Sequence, residues 1–239
     1  IRPSGYRVFF NRDEQKSRPR ARLPRIQQEN SVDAIMPIDP QGGGTWVAVN
    51  AYGLTFALLN FYQGRLPKGR LISRGQLVKA CAGFNTAKDA IAYIESLNLA
   101  KYAPFSLLCF EPEENRTHVV LLRWDGKKIL RSEEHCPLIS SAVRYDEVYS
   151  SRINVYHDVM GELPSADASE ERHEGDYVRL HQSHAPNRSA ESICMHRDDA
   201  ETVSFSQINV DAEHIEFYYA DGAPCDTPIE KAAELRRIY

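Results

Sequence analysis

The sequence lacks any C-x-x-C pair, and its five cysteines (Cys81, Cys109, Cys136, Cys194 and Cys225) are scattered and odd in number. That pattern argues against a disulfide framework or a zinc knuckle and favours a reducing compartment. Apolar runs long enough to span a bilayer are also missing, as are the n-region and h-region of a signal peptide. No stable membrane insertion is therefore expected, and a cytoplasmic protein is the default. Excess charge of one sign is lacking too. The formal net charge is −4 with acids and bases interspersed, so nothing at whole-chain level points to nucleic acid or an anionic membrane. Neither an internal repeat nor a low-complexity segment is present.

What is present is an ordinary globular composition, 42% hydrophobic and 26% charged over 239 residues. A chain of that length can be served by one hydrophobic core, and a single domain over residues 1–239 is expected. One local exception to the even charge is the run Arg12, Lys16, Arg18, Arg20, Arg22 and Arg25. It reads as a solvated loop or, more sharply, as an anion-attracting rim beside a pocket.

Read along the chain, β-branched and aromatic residues predict a strand over Tyr6 to Phe10, then a hairpin from Thr45–Asn50 and Leu54–Phe61 turned by Ala51-Tyr52-Gly53. These strands are nearly continuously apolar, as in a sheet covered on both faces. Helices are predicted at Gln76–Ala82 with Ser73 as cap, and after Thr86, where Ala87, Ala90, Ile91, Ile94 and Leu97 recur at helical spacing. Strands follow at Phe105–Glu111, Thr117–Trp124 and Lys128–Ser132, with Asp125-Gly126 as a hairpin turn. A short strand at Leu138–Ser141 and a helix over Val143–Met160 come next. Glu162 to Arg188 is polar and broken by Pro164, Gly175 and Pro186, and reads as a surface excursion with room for a short helix. Strands at Ser192–Met195, Thr202–Asn209 and Ile215–Tyr219 and a helix from about Ile229 close the chain. Antiparallel strands between two groups of helices imply an α+β architecture of two stacked sheets sandwiched by helical layers.

Asn11-Arg12-Asp13-Glu14 ends the first strand. It is followed by Gly43-Gly44-Thr45-Trp46, Asn50-Ala51-Tyr52-Gly53-Leu54 and Leu59-Asn60-Phe61, and later by Ile193-Cys194-Met195-His196-Arg197. In these motifs the chain resembles the NRDE, or transport-and-Golgi-organisation, family over most of its length. That family in turn is similar to the cysteine-type N-terminal-nucleophile hydrolases, such as penicillin V acylase and bile salt hydrolase. The resemblance implies a four-layer α/β/β/α sandwich and an amide-cleaving site whose nucleophile is a chain-terminal cysteine.

Carried over by that resemblance, Arg12 sits beside the nucleophile, Asp13 orients the terminal amine with Asn11 sharing the task, and Asn60 donates to the oxyanion. Ser140 stands where the superfamily has a second polar contact from asparagine. Arg197 is the candidate distal arginine, and Trp46 is placed at the rim of core and substrate site. The residue types suit the chemistry. A free α-amino group titrating near ~7.7–8.0 can take the thiol proton, and a guanidinium that stays charged favours thiolate. A preplaced oxyanion donor is typically worth ~3 kcal/mol. Residue 1 is isoleucine, which cannot act as nucleophile, and Arg2-Pro3-Ser4-Gly5 is turn chemistry with no preceding element. A short strand beginning Met-Cys ahead of Ile1 is therefore expected.

Plainer readings stand beside these. Asn11 to Glu14 could form a strand-end network, and Asn60 could be a satisfied core amide. Gly42-Gly43-Gly44 lacks the lysine and context of a phosphate loop and reads as backbone freedom near a crowded pocket. His181 and His184, with His173 and Asp176, read as solvated residues, so no metal and no cofactor are implied. The leading functional expectation is an amidohydrolase or acyl-transfer enzyme acting on a small linear, non-peptide amide or acyl substrate. The alternative is a non-catalytic carrier or trafficking protein holding haem, an acyl-lipid or acyl-CoA in the same pocket.

Overall fold

The computed structural model describes residues 5–114, 116–133, 137–161 and 173–239. Among the described residues eleven strands form two sheets in which every strand pairing is antiparallel. The smaller joins β1 (Tyr6–Gln15), β9 (Ala200–Val210), β10 (His214–Ala220) and β11 (Glu230–Arg236) in that order. The larger runs in sequence order through β2 (Arg22–Glu29), β3 (Val32–Ile38), β4 (Val47–Asn50), β5 (Thr55–Asn60), β6 (Phe105–Pro112), β7 (Thr117–Trp124) and β8 (Ile129–Glu133).

Period-2 side-chain alternation splits the strands of the larger sheet between two cores. Ala48, Phe56, Leu58, Leu107, Cys109 and Leu122 pack on helices α1 (Gly75–Cys81) and α2 (Ala87–Ser96), whereas Val47, Val49, Ala57, Leu108, Phe110 and Leu121 meet Tyr6, Val8, Ile208, Ile215 and Phe217 of the smaller sheet. Burial on both faces explains why these strands read as unbroken apolar runs. On the far side, α3 (Tyr145–Met160) and α4 (Glu174–Gln182) share a small core of Val155, Tyr156, Met160 and Leu180. Tyr177 of α4 stacks on Phe9 of β1 at 4.8 Å between ring centroids. Layers thus run α1/α2, larger sheet, smaller sheet, α3/α4, the expected α/β/β/α sandwich. No helix among the described residues is long and apolar enough to cross a membrane.

Local signals behave as their chemistry dictates in two places. The Thr86 hydroxyl caps α2 by accepting from the Asp89 amide at 3.1 Å, and Asp125 Oδ1 accepts from the amides of Lys127 and Lys128 in the β7–β8 turn. Ser73 does not cap α1. It offers only its backbone carbonyl to Gln76, and Arg74 stands at the cap without a side-chain bond.

Four further expectations need correction. The basic stretch is a loop only in its middle: Lys16, Arg18 and Arg20 lie between β1, which continues to Gln15 and holds Arg12, and β2, which begins at Arg22 and holds Arg25. β2 is an edge strand whose charged and amide side chains face solvent, a usual protection of a free edge that hides the alternation. Asn30 and Ser31, both at positive φ, turn it tightly into β3. The helix predicted from Ile229 is β11: its Ala and Leu favour a helix, but Ala233 and Leu235 point inward at period 2 and Lys231 bonds Glu216 of β10 at 2.7 Å. Leu138–Ser141 and Ser192–Met195 pair with no strand and run irregularly. The excursion predicted over residues 162–188 contains α4, which packs on β1, while its first part, 162–172, lies outside the described residues.

Candidate active site

Among the described residues β1 pairs only with β9, so its second edge is unpaired. A cleft of about 1280 Å³ runs along that edge and is lined by every residue of β1. The seven residues singled out from the sequence, Asn11, Arg12, Asp13, Trp46, Asn60, Ser140 and Arg197, all line this one cleft. They reach it from different sides. Successive strand residues face opposite ways, so Arg12 lies over Trp46 between the sheets, whereas Asn11 turns toward the helical layer. A register shift between Arg12 and Asp13 then lets Asp13 meet Thr202 of β9.

Arg12 is nine-tenths shielded from solvent, its guanidinium 4.1 Å from the centroid of the Trp46 ring and 3.3 Å from Glu14. Burial lowers its pKa, while the charges of Glu14 and Asp39 oppose that shift. Such a group remains a cation at neutral pH. Glu14 also takes Arg18 at 3.3 Å, and Arg18 bonds Asp39 at 2.6 Å. Burial alone would raise Asp39, but the Arg18 guanidinium and the Gln41 and Gly42 amides outweigh it and hold the carboxyl below its ordinary range. The basic stretch therefore divides: Arg12 and Arg18 line the cleft, while Arg20, Arg22 and Arg25 are exposed outside it.

On the helical side, Asn11 donates to the carbonyls of His181 (2.9 Å) and Ile193 (3.0 Å), tying α4 to the segment before β9. Its Oδ1 is buried without a hydrogen-bond partner, as is the Trp46 Nε1. An unpaired buried acceptor and donor are costly, about 1–3 kcal/mol each, and both belong to residues that line the cleft. Asp13 accepts from the Thr202 hydroxyl at 2.7 Å and from Arg152 of α3 at 3.4 Å, so both carboxylate oxygens are held. His181 is not solvated. Its ring lies against Phe9 and Phe205, and burial with Arg152 nearby holds its pKa down to about 4.

Asn60 ends β5, its side-chain amide donating to the Tyr62 hydroxyl at 2.7 Å and its carbonyl accepting from Ser140 at 2.5 Å. The irregular 137–142 segment is thereby pinned to β5. Arg197 is engaged by Asp199 at 2.7 Å. Sequence reasoning missed Arg152, Thr202, Arg74 and Asp39. Nothing in residue order marks an arginine in mid-helix or a threonine in a strand as partners of Asp13. No cysteine among the described residues lines the cleft. Burial pushes the Cys81 thiol up to about 12 and raises Cys109, which makes both inert at neutral pH. Cys136 lies outside the described residues.

This sandwich is the fold of the N-terminal-nucleophile hydrolases. Penicillin V acylase from Agrobacterium tumefaciens shares it with a TM-score of 0.51 at 11% identity, over 90% of this chain and 78% of that one. A mutant of conjugated bile acid hydrolase from Clostridium perfringens aligns with a TM-score of 0.48 at 10% identity, over 98% of this chain and 96% of that one. The chain itself belongs to the Transport and Golgi organisation 2 family, which matches residues 6–220. Comparison with curated protein sequences finds no significant match.

Proposed function

We propose that the protein is an amidohydrolase or acyl-transfer enzyme that cleaves the C–N bond of a small linear, non-peptide amide in this cleft, acting as one domain in a reducing, cytoplasmic setting. The nucleophile in this reading is a cysteine ahead of Ile1, borne on a strand that pairs along the unpaired edge of β1. What supports it most is the convergence of Arg12, Asp13 and Asn60 on one cleft in a fold of this kind.

In this mechanism the α-amino group takes the thiol proton, and the sulfur attacks the amide carbon. Arg12, fixed on Trp46 and Glu14, favours the thiolate, and Asp13, fixed by Thr202 and Arg152, orients the amine together with the open Oδ1 of Asn11. Asn60 donates to the developing oxyanion. The tetrahedral intermediate collapses with loss of the amine, which leaves with the proton held by the α-ammonium, and water then hydrolyses the thioester to a carboxylic acid. Trp46, Ser140 and Arg197 contact the substrate. Six arginines (7, 12, 18, 74, 152 and 197) against four carboxylates (13, 14, 39 and 199) line the cleft and favour an anionic substrate.

The test is iodoacetamide labelling at neutral pH of protein bearing its natural start, followed by intact mass and peptide mapping. Fast modification of a cysteine ahead of Ile1, slowed in Arg12→Ala, is expected. In the same protein Asn60→Ala should lower turnover of a simple acyl amide by about 10²–10³-fold. Equally slow reaction of every thiol overturns the reading, and saturable binding of haem or acyl-CoA by that protein would mark it as a carrier instead.

A further inference from the structure

Away from the cleft, four side chains that are distant in sequence converge. His184, Cys194, His196 and Cys225 place one donor atom each within 4.8 Å of all the others. His184 and His196 approach through their Nε2 atoms at 3.2 Å, and the same Nε2 of His196 lies 3.6 Å from Cys194 Sγ and 3.5 Å from Cys225 Sγ. A single imidazole nitrogen can make one hydrogen bond, as donor or as acceptor. Three partners crowd this one, so the His196 nitrogen cannot bond all of them without a metal; Cys225 Sγ also lies 3.2 Å from Asp226 Oδ2.

We propose that these four residues form a structural Cys2His2 zinc site that staples the irregular segment before β9 to the connection between β10 and β11. Bond lengths of ~2.3 Å to sulfur and ~2.0–2.1 Å to nitrogen in a tetrahedron place nitrogens ~3.3 Å apart and nitrogen and sulfur ~3.5–3.6 Å apart. The three distances from His196 Nε2 fall within about 0.1 Å of those values, and the remaining donor pairs lie within 4.8 Å of one another. Thiolate and imidazole donors suit zinc, whereas calcium and magnesium require oxygens. An iron–sulfur cluster with mixed ligands would hold the histidines on one iron and the cysteines on the other, so nitrogen and sulfur would not interleave around one point. Four protein donors complete the coordination, and two thiolates neutralise the dication, which are marks of a structural rather than a catalytic ion.

The segment that supplies three of the ligands has reason to need a staple. Residues 183–199 form no helix and, apart from an isolated bridge at His196, no strand, yet Ala190, Ile193 and Met195 line the cleft. Besides Asn11, the segment is held internally by Cys194 N–H to the Ser183 carbonyl (3.0 Å) and to β9 by the two 2.8 Å bonds between Met195 and Thr202, while Gln182 just ahead of it donates to the Pro224 carbonyl (2.9 Å) beside Cys225. Zinc would add a covalent-strength tie from this segment to the β10–β11 connection, which it otherwise meets through the Arg188–Asp226 ion pair at 3.8 Å. The site is independent of the catalytic reading, since none of its four ligands lines the cleft.

Metal analysis of the freshly purified full chain should find about one zinc per molecule. After removal of zinc by a chelator, titration with Co²⁺ should give intense tetrahedral d–d bands and a sulfur-to-cobalt charge-transfer band. Cys225→Ser should lose roughly half of that charge-transfer intensity and weaken cobalt binding by about 100-fold or more, while Cys81→Ala leaves both unchanged. Zinc absent from the purified protein together with a weak, octahedral Co²⁺ spectrum overturns the proposal. So does a Cys194–Cys225 disulfide found by peptide mapping, or a wild-type spectrum in Cys225→Ser. Should that variant fail to fold, the wild-type zinc content and cobalt spectrum decide alone.

Discussion

Acidification should destabilise the protein through His181, and the size of the effect follows from where α4 puts the ring. Its Nδ1 is buried with no partner, its ring lies against Phe9 and Phe205, and Arg152 is close enough to oppose a second positive charge. The folded-state pKa of about 4 compares with about 6.5 for an unfolded histidine. Between those values the unfolded chain binds a proton that the native protein refuses, so stability rises with pH across the window and is lost as pH falls. Integrated from about pH 7 to about pH 5, the loss is about 2 kcal/mol, growing to about 3 kcal/mol near pH 4. Urea unfolding followed by tryptophan fluorescence would measure it. The informative quantity is the difference between wild type and His181→Phe, a variant that keeps an aromatic ring beside Phe9 and Phe205 but cannot titrate. Other carboxylates and histidines contribute equally to both proteins and cancel. Stability curves that stay parallel for the two proteins from about pH 7 to about pH 4.5 would refute the reasoning.

Two further outcomes test the frame that carries the site. Asn50, fully buried, donates to the carbonyls of Ala82 and Phe84 and accepts from the amides of Tyr52 and Leu54, so Asn50→Ala should cost about 2–4 kcal/mol in denaturant unfolding. Gly44 abuts Gly75 so closely that an added Cβ would fall 2.3 Å from the Gly75 carbonyl carbon; Gly44→Ala should push α1 from the larger sheet and lower stability by about 1–3 kcal/mol, read as a fall in Tm.

Elements with their own periodicity were legible in the sequence, and those defined by neighbours were not. β4 to β7 announce themselves because each strand is buried on both faces, and α2 because Thr86 and the Ala87–Ile94 stripe agree. β2 and β11 are edge strands, where exposed charge masks alternation and pairing overrides the helical preference of Ala and Leu. The site divides along the same line. Residues singled out by local motifs, Asn11 to Asp13 and Trp46, and Asn60 at the end of a strand, line the cleft. Arg152 and Thr202 were missed because their relation to Asp13 spans 139 and 189 residues of chain. The four-residue cluster around His196 was missed for the same reason: no two of its ligands sit at a spacing that a knuckle would use.

The two sheets differ in width by three strands, and that inequality has a consequence for how the cleft can change. Ala57, Leu59, Leu108, Phe110 and Val119 belong to the wider sheet and line the cleft from below, at positions fixed by ladder hydrogen bonds. The base of the chamber is therefore as rigid as the barrel of a lock, whereas residues 137–142 and 183–199, which also line it, belong to no ladder and hang on a few side-chain ties that can be recut. Relatives with different appetites would be expected to share the base and differ at the keyhole.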